Sequence, residues 1–337
     1  THDLVSVCRR VAALKPGDVD VLKQLQHAAR VDRDHVYVAA LDHLLALVEP
    51  QSGSGPEPPA LSDLPEQPDM VRTMLFREVT APVLEALSLV WEGAEHVFRR
   101  DTSAYGLTGL ERIPLTAPTP LARVYAGAAR ALGMPRTPLF QRRSAGAVTV
   151  NLALLSPPAI VLSGDVRDES PELRFHLGAM LAAALPQFAL LFGAPESQAR
   201  SVLRGLSFAF GPPRPTPASL GAVLNLAELL WESIPARLQR RLRELCDNPD
   251  ALDYDAALKL ARVAVRRAGL FVAGDFHCAL REICADEGLD AARAGVPGGL
   301  FELCKESPSL ASLYALAVSP EYAETRWRSA RTRQTGT

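Results

Sequence analysis

The stretch from 171 to about 191 constrains the fold most. Ser170 supplies a cap, Pro171 a rigid first position and Glu172 an acidic first turn, so a helix starts there. Leu173, Phe175, Leu177, Met180, Leu181, Ala184 and Leu185 then place apolar side chains nearly all round the axis. A helix with no polar face must be enclosed, so the rest of the chain has to wrap it. Hydrophobic residues make up 48% of the sequence but aromatics only 6%, so Leu, Ala and Val fill the core and helices are favoured. Just before this helix the pattern is different. Residues 147–155 are apolar and β-branched, Ser156-Pro157-Pro158 makes a turn, and 159–163 is a second short strand. This is the signature of a β-hairpin. The expected fold class is mainly α with a small β-hairpin or sheet (α+β).

Residues 4–48 read as three helices. Leu4, Val7, Val11 and Leu14 form the apolar face of the first, and Lys15-Pro16-Gly17-Asp18 breaks it. Asp18 or Asp20 caps the second, which carries Val21, Leu22, Leu25, Ala28 and Ala29. The third carries Val38, Ala39, Leu41, Leu44, Leu45 and Val48. Residues 51–69 hold five prolines and read as a linker or extended surface segment. A helix over 71–100 is interrupted or restarted at Pro82, and another spans 120–132 with Gly133 as its C-cap. After a Pro-rich loop at 211–217, helices are expected near 218–231, 235–247, 253–268, 275–286, 297–305 and 308–318. The division is then 1–50, a linker at 51–69, a main domain at 70–327 and a polar tail at 328–337. The chain begins at Thr1, as a fragment or a processed product would.

Composition excludes several classes. Thirty-six basic residues face 38 acidic ones, for a net charge of −2, without the basic excess of a dedicated nucleic-acid binder. Cys8, Cys246, Cys278, Cys284 and Cys304 include no C-x-x-C pair. They read as free thiols in a reducing compartment, which points to the cytoplasm. No uncharged apolar run reaches the ~18 residues of a membrane span.

Spacing and layout carry two resemblances. Leu14-Lys15-Pro16-Gly17 and Val48-Glu49-Pro50-Gln51 lie 34 residues apart, and Ala28 and Ala40 are small where helices would pack closely. This resembles the tetratricopeptide repeat, in which Pro closes the second helix of each pair. It implies the end of a longer array or a helical cap on the main domain. From Leu121 onward the order resembles the M48-type zinc metallopeptidase domain. The helix over 120–132 precedes a hairpin with Val148-Thr-Val-Asn151 and Ile160-Val-Leu-Ser-Gly164. Glu172-Leu-Arg-Phe-His176-Leu-Gly-Ala-Met180 matches the ligand helix, and Arg262-Val-Ala-Val-Arg266-Arg-Ala-Gly269 the third-ligand helix.

That chemistry needs two imidazoles one helical turn apart, with a Glu between them as general base. Of this set only His176 is present. Leu177 holds the Glu position, Met180 the second His position, and Arg262 and Arg266 the carboxylate positions of the third-ligand helix. Arginine repels a divalent cation, so the resemblance implies no metal, no cofactor and no catalysis. Arg262 or Arg266 is expected to face the old metal pocket near His176. His176 by itself reads as a core histidine bonded to a backbone carbonyl. A peptide groove along Val148, Val150, Asn151 and Ile160 is the function such a scaffold retains, since strand addition needs only backbone groups. The chain is therefore expected to bind a protein or peptide partner. The competing reading is a hydrolase using His176 with Asp165 or Glu172. Three other features read as structural: His277 with Cys278, Cys284 and Cys304, the glycines at 295–299, and the arginines at 237–243 as a solvated helix face.

Overall fold

The computed structural model describes residues 2–49, 55–77, 79–134, 136–213 and 221–329. Residues 51–54, part of the Pro-rich loop after 213 and the tail from 330 lie outside the described residues. The protein is mainly helical with one small sheet. Helices α1 (His2–Leu14), α2 (Val19–Val31) and α3 (His35–Val48) come first, with Asp18 and Asp34 accepting backbone amides as N-caps. The region 71–100 is two helices, α4 (Pro68–Phe76) and α5 (Pro82–Phe98), each begun by a proline. Then come α6 (Pro120–Ala131), β1 (Leu139–Arg142), β2 (Thr149–Ala153) and β3 (Ala159–Ser163).

The enclosed helix is α7 (Pro171–Ala183), shorter than expected. Leu185 turns to extended backbone and Pro186 starts a new helix, α8 (Pro186–Gly193), at 113° to the first. Apolar composition runs through the corner unbroken. Proline there is tolerated because the first position of a helix has no amide partner to lose. No single helix is long and apolar enough to cross a membrane, and the bent α7–α8 pair is buried in the protein. The remainder is α9 (Glu196–Phe210), α10 (Gly221–Ser233), α11 (Ala236–Cys246), α12 (Tyr254–Ala273), α13 (Phe276–Glu287), α14 (Gly299–Glu306) and α15 (Pro308–Ala317), closed by turns at Pro320–Tyr322 and Ala323–Trp327.

The sheet has order β1-β3-β2, with β1 parallel and β2 antiparallel to β3. The predicted hairpin is β2–β3; β1 is an addition to it. One face of the sheet packs on α7 and α8. The other carries a small cluster of Leu107, Ala153 and Val161.

The central contact is α7 against α12. A methyl group on Gly178 would lie 2.7 Å from the Ala268 carbonyl and from Val272, and one on Gly269 would lie 2.9 Å from Phe175. The two backbones touch because neither glycine has a side chain. One hydrophobic core extends from this pair out to Cys8 in α1 and Trp327 near the end of the described chain. Tyr37 donates to the Val318 carbonyl (2.7 Å), and the His43 ring packs on Trp327. The Pro-rich segment is tied down by its carbonyls. Pro56 meets His43 Nδ1 (3.2 Å), Pro59 accepts from Arg326 (2.8 Å) and Leu61 from Arg130 (3.1 Å).

An exposed helical Gly→Ala change gains about 1 kcal/mol. Gly178→Ala is expected instead to destabilise by roughly 1–3 kcal/mol through overpacking. The urea midpoint should fall with an unchanged slope.

Candidate functional site

On α7, Leu177 is fully buried in the core and Met180 is half-buried against it. His176 lies on the side toward α13. Its side chain is 43% exposed, and Nε2 stands 2.8 Å from Glu282 Oε2. It is therefore not a core histidine on a backbone carbonyl. The apolar faces of α7 are taken by α12 and the sheet, and its one imidazole falls where α13 offers a carboxylate. Arg262 is exposed. Arg266 is buried, and it ion-pairs with Asp286 and Glu287 and donates to Ser309 Oγ (2.7 Å). A buried cation needs such partners, and the end of α13 supplies them. Arg266 thus does not share a pocket with His176. The two bind different carboxylates of α13, Glu282 and Asp286, one helical turn apart.

The groups of the hydrolase reading are also dispersed. Asp165 pairs with Arg167 (3.6 Å), and Glu172 with Arg281. Among the described residues no three His, Cys, Asp or Glu side chains converge. All five cysteines are free and buried. Burial pushes the Cys278 and Cys304 thiols up to about 12 and Cys246 to about 11, away from the thiolate that a ligand or nucleophile needs. His277, next to buried Cys278, is exposed. The arginines of α11 are paired: Arg237 with Glu92, Arg240 with Glu244, and Arg241 with Glu85 and Glu244. Arg243 lies over the Trp231 ring.

The expected peptide groove separates into accessible and inaccessible parts. Ile160 is fully buried on the central strand and lines nothing. Asn151 is exposed, while Val148 and Val150 are half-buried. Alternation decides which backbone groups are open. The amides of Ile160 and Gly164 donate toward β1, to Pro138 (2.8 Å) and Arg142 (3.0 Å). Ala159, Val161 and Ser163 therefore face β2, where they lie opposite Ala153, Asn151 and Thr149. Val150 and Leu152 turn their N–H and C=O groups outward. The same parity reaches Leu154, whose amide donates to the Tyr105 hydroxyl (2.9 Å) and whose carbonyl accepts from Arg100 N–H (2.8 Å). The edge is thus closed at Leu154, covered at Leu152, which is 6% exposed, and accessible at half-buried Val150. On the opposite edge Arg112 bridges to Phe140, so β1 is partly covered.

A cleft of about 620 Å³ lies between the Pro-rich segment and the start of α7, with Glu57, Leu61, Arg123, Arg174 and Asp275 on its walls. Some of its charges are paired internally, while the buried Nε of Arg174 has no hydrogen-bond partner among the described residues and Arg174 Nη2 reaches only the Glu169 carbonyl (3.1 Å). Arg123 pairs with Glu169 (2.7 Å), and His43 with Asp275 (3.5 Å). Sequence reading treats 51–69 as a linker, so it does not foresee this cleft; nothing local in those prolines marks which helices they dock on.

Comparison with protein-family models, with curated proteins and with solved structures finds no match.

Burial alone would raise the pKa of Asp275. Hydrogen bonds from His43 and the Cys278 amide, with the charges of His43 and His277, outweigh it and hold the carboxyl at about 2. A carboxyl depressed in the folded state stabilises above its unfolded pKa and loses that contribution as pH falls toward the folded value. Asp275→Asn should cost about 2 kcal/mol above pH ~5. The difference from wild type should vanish toward pH ~2 in acid-unfolding curves.

Proposed function

We propose that the chain is a non-catalytic protein-interaction module. Its peptidase-like layout serves as a scaffold, and its tetratricopeptide-like helices and the edge of β2 offer binding surfaces. The partner is a protein or peptide, met in the cytoplasm, where five buried thiols stay reduced. One observation carries the non-catalytic half. Leu177, at the general-base position of the resemblance, is sealed in the core beside a glycine that touches α12. No carboxylate can reach a bound water from there. The opposing signs at the third-ligand positions point the same way, since Arg266 is committed to two carboxylates of α13.

The open edge of β2 supports the binding half. The outward N–H and C=O groups of Val150, at the exposed start of β2, suit an extended peptide added as a fourth strand. Natural edges are commonly blunted by charge or proline, and β2 carries neither. Recognition through the backbone alone makes the site tolerant of peptide sequence.

Two measurements test this reading. Incubation with an unfolded protein substrate, with and without chelator, should yield no new fragments by mass spectrometry; chelator-sensitive cleavage would refute it. Val150→Pro removes an outward amide and leaves the β2–β3 ladder bonds in place. It should weaken binding of unstructured peptides at least tenfold while circular dichroism is unchanged. Asn151→Pro, which removes an inward amide, should instead damage the fold.

A further inference from the structure

Arg174, in the first turn of α7, is left incomplete by the fold. Its side chain is half-buried on the wall of the cleft beside the Pro-rich segment. Nη2 reaches only a backbone carbonyl, and the buried Nε reaches no acceptor. The carboxylates nearest to it in sequence are taken, Glu169 by Arg123 and Glu172 by Arg281. A guanidinium carries five donors and keeps its charge, so an orphaned one at a cavity wall lacks an acidic acceptor.

A second guanidinium lies behind the same wall. Arg326 donates to Ala273, a wall residue, and to Pro59, between wall residues Pro58 and Ala60. All of its acceptors are carbonyls. Burial lowers its pKa, and the charge of Arg174 adds to the lowering. Arg123, exposed on the α6 side, engages Glu169 through Nε alone. Against these cations the walls set Glu57, Glu169 and Asp275. Asp275 is occupied by His43 (3.5 Å) and the Cys278 amide (3.1 Å), and Glu57 is exposed. One added negative charge would thus find Arg174 and Arg326 without a carboxylate partner. A second would meet the wall carboxylates. The end of α7 is not what the cleft offers, because Ser170 already caps it.

We infer that this cleft binds a small organic acid with a single carboxylate and an apolar body. The carboxylate accepts from Arg174 and from the outer nitrogens of Arg123, whose planar forks match its shape. The body lies on Leu61, Val124 and Pro171, which line the same cavity. A volume of about 620 Å³ is of the size that holds small molecules. A dianionic phosphate ester is the weaker occupant, since its second charge faces Glu57, Glu169 and Asp275. The inference goes beyond the protein-interaction reading and does not rest on it.

The test is calorimetric titration of the full chain with phenylacetate, hexanoate, phenylacetamide and phenyl phosphate. The two carboxylates should saturate one site with a Kd of about 1 mM or tighter. Phenylacetamide has the same shape without the charge and should bind about tenfold more weakly or worse. Phenyl phosphate should also bind more weakly than phenylacetate. Arg174→Gln should weaken phenylacetate about tenfold or more. Ser62→Glu places a carboxylate at an exposed wall position and should weaken it severalfold, with the fold intact by circular dichroism. That second variant decides the matter if Arg174→Gln does not fold. His176→Gln, on the side of α7 toward α13, should bind like wild type. The inference is overturned if neither carboxylate binds more tightly than about 10 mM, or if the amide or the phosphate ester matches the carboxylate. It is equally overturned if Ser62→Glu leaves affinity unchanged, or if a folded Arg174→Gln does. None of these outcomes depends on the edge of β2.

Discussion

Gly178 and Gly269 let α7 and α12 approach until backbone meets side chain directly, and the rest of the protein is arranged around that approach. Side-chain volume at either position would force the helices apart. The sheet and α8 lie on one side of α7, and α13 closes another. A helix enclosed in this way cannot also line a cleft on its inner faces. The residue it presents outward, His176, is left to pair with α13.

Buried arginines fasten the outer elements to this frame. Arg326 is fully buried and has no carboxylate among its hydrogen-bond partners. It donates instead to the carbonyls of Phe271 and Ala273 at the C-terminus of α12, and to Pro59. The negative end of the helix dipole accommodates the cation. Burial still lowers its pKa, to about 10, so it stays protonated at neutral pH. One side chain thereby joins the last described turn, the central helix and the Pro-rich segment. Arg266 does the same for α12, α13 and α15, through Asp286, Glu287 and Ser309.

Much of the fold is legible in the sequence because it is written in local patterns. Caps such as Asp18, Ser170 and Asp253 start helices where they are expected, and the β2–β3 hairpin arises from its branched residues and the Ser156-Pro157-Pro158 turn. The illegible features depend on partners far away in sequence. Strand β1 is four residues long, two of them polar, and exists because β3 pairs with it. The corner at Leu185 is hidden inside unbroken apolar sequence. The pairing of His176 with Glu282 spans 106 residues, and no spacing rule reaches that far. Helix α1 shows a further limit: Val7 and Leu14, on its expected apolar face, are exposed, while Cys8 and Ala12 are buried. Periodicity identifies an apolar face, but only packing tells which way the face points.

The binding role rests on the arrangement of the β2 edge, and residue-resolved amide hydrogen exchange over 149–154 tests it most directly. In the free protein Thr149, Asn151, Ala153 and Leu154 should be protected, while Val150 exchanges fast. Adding an unstructured peptide should slow exchange at Val150 most. Uniform protection in the free protein, or a peptide response confined to residues around His176, would contradict it.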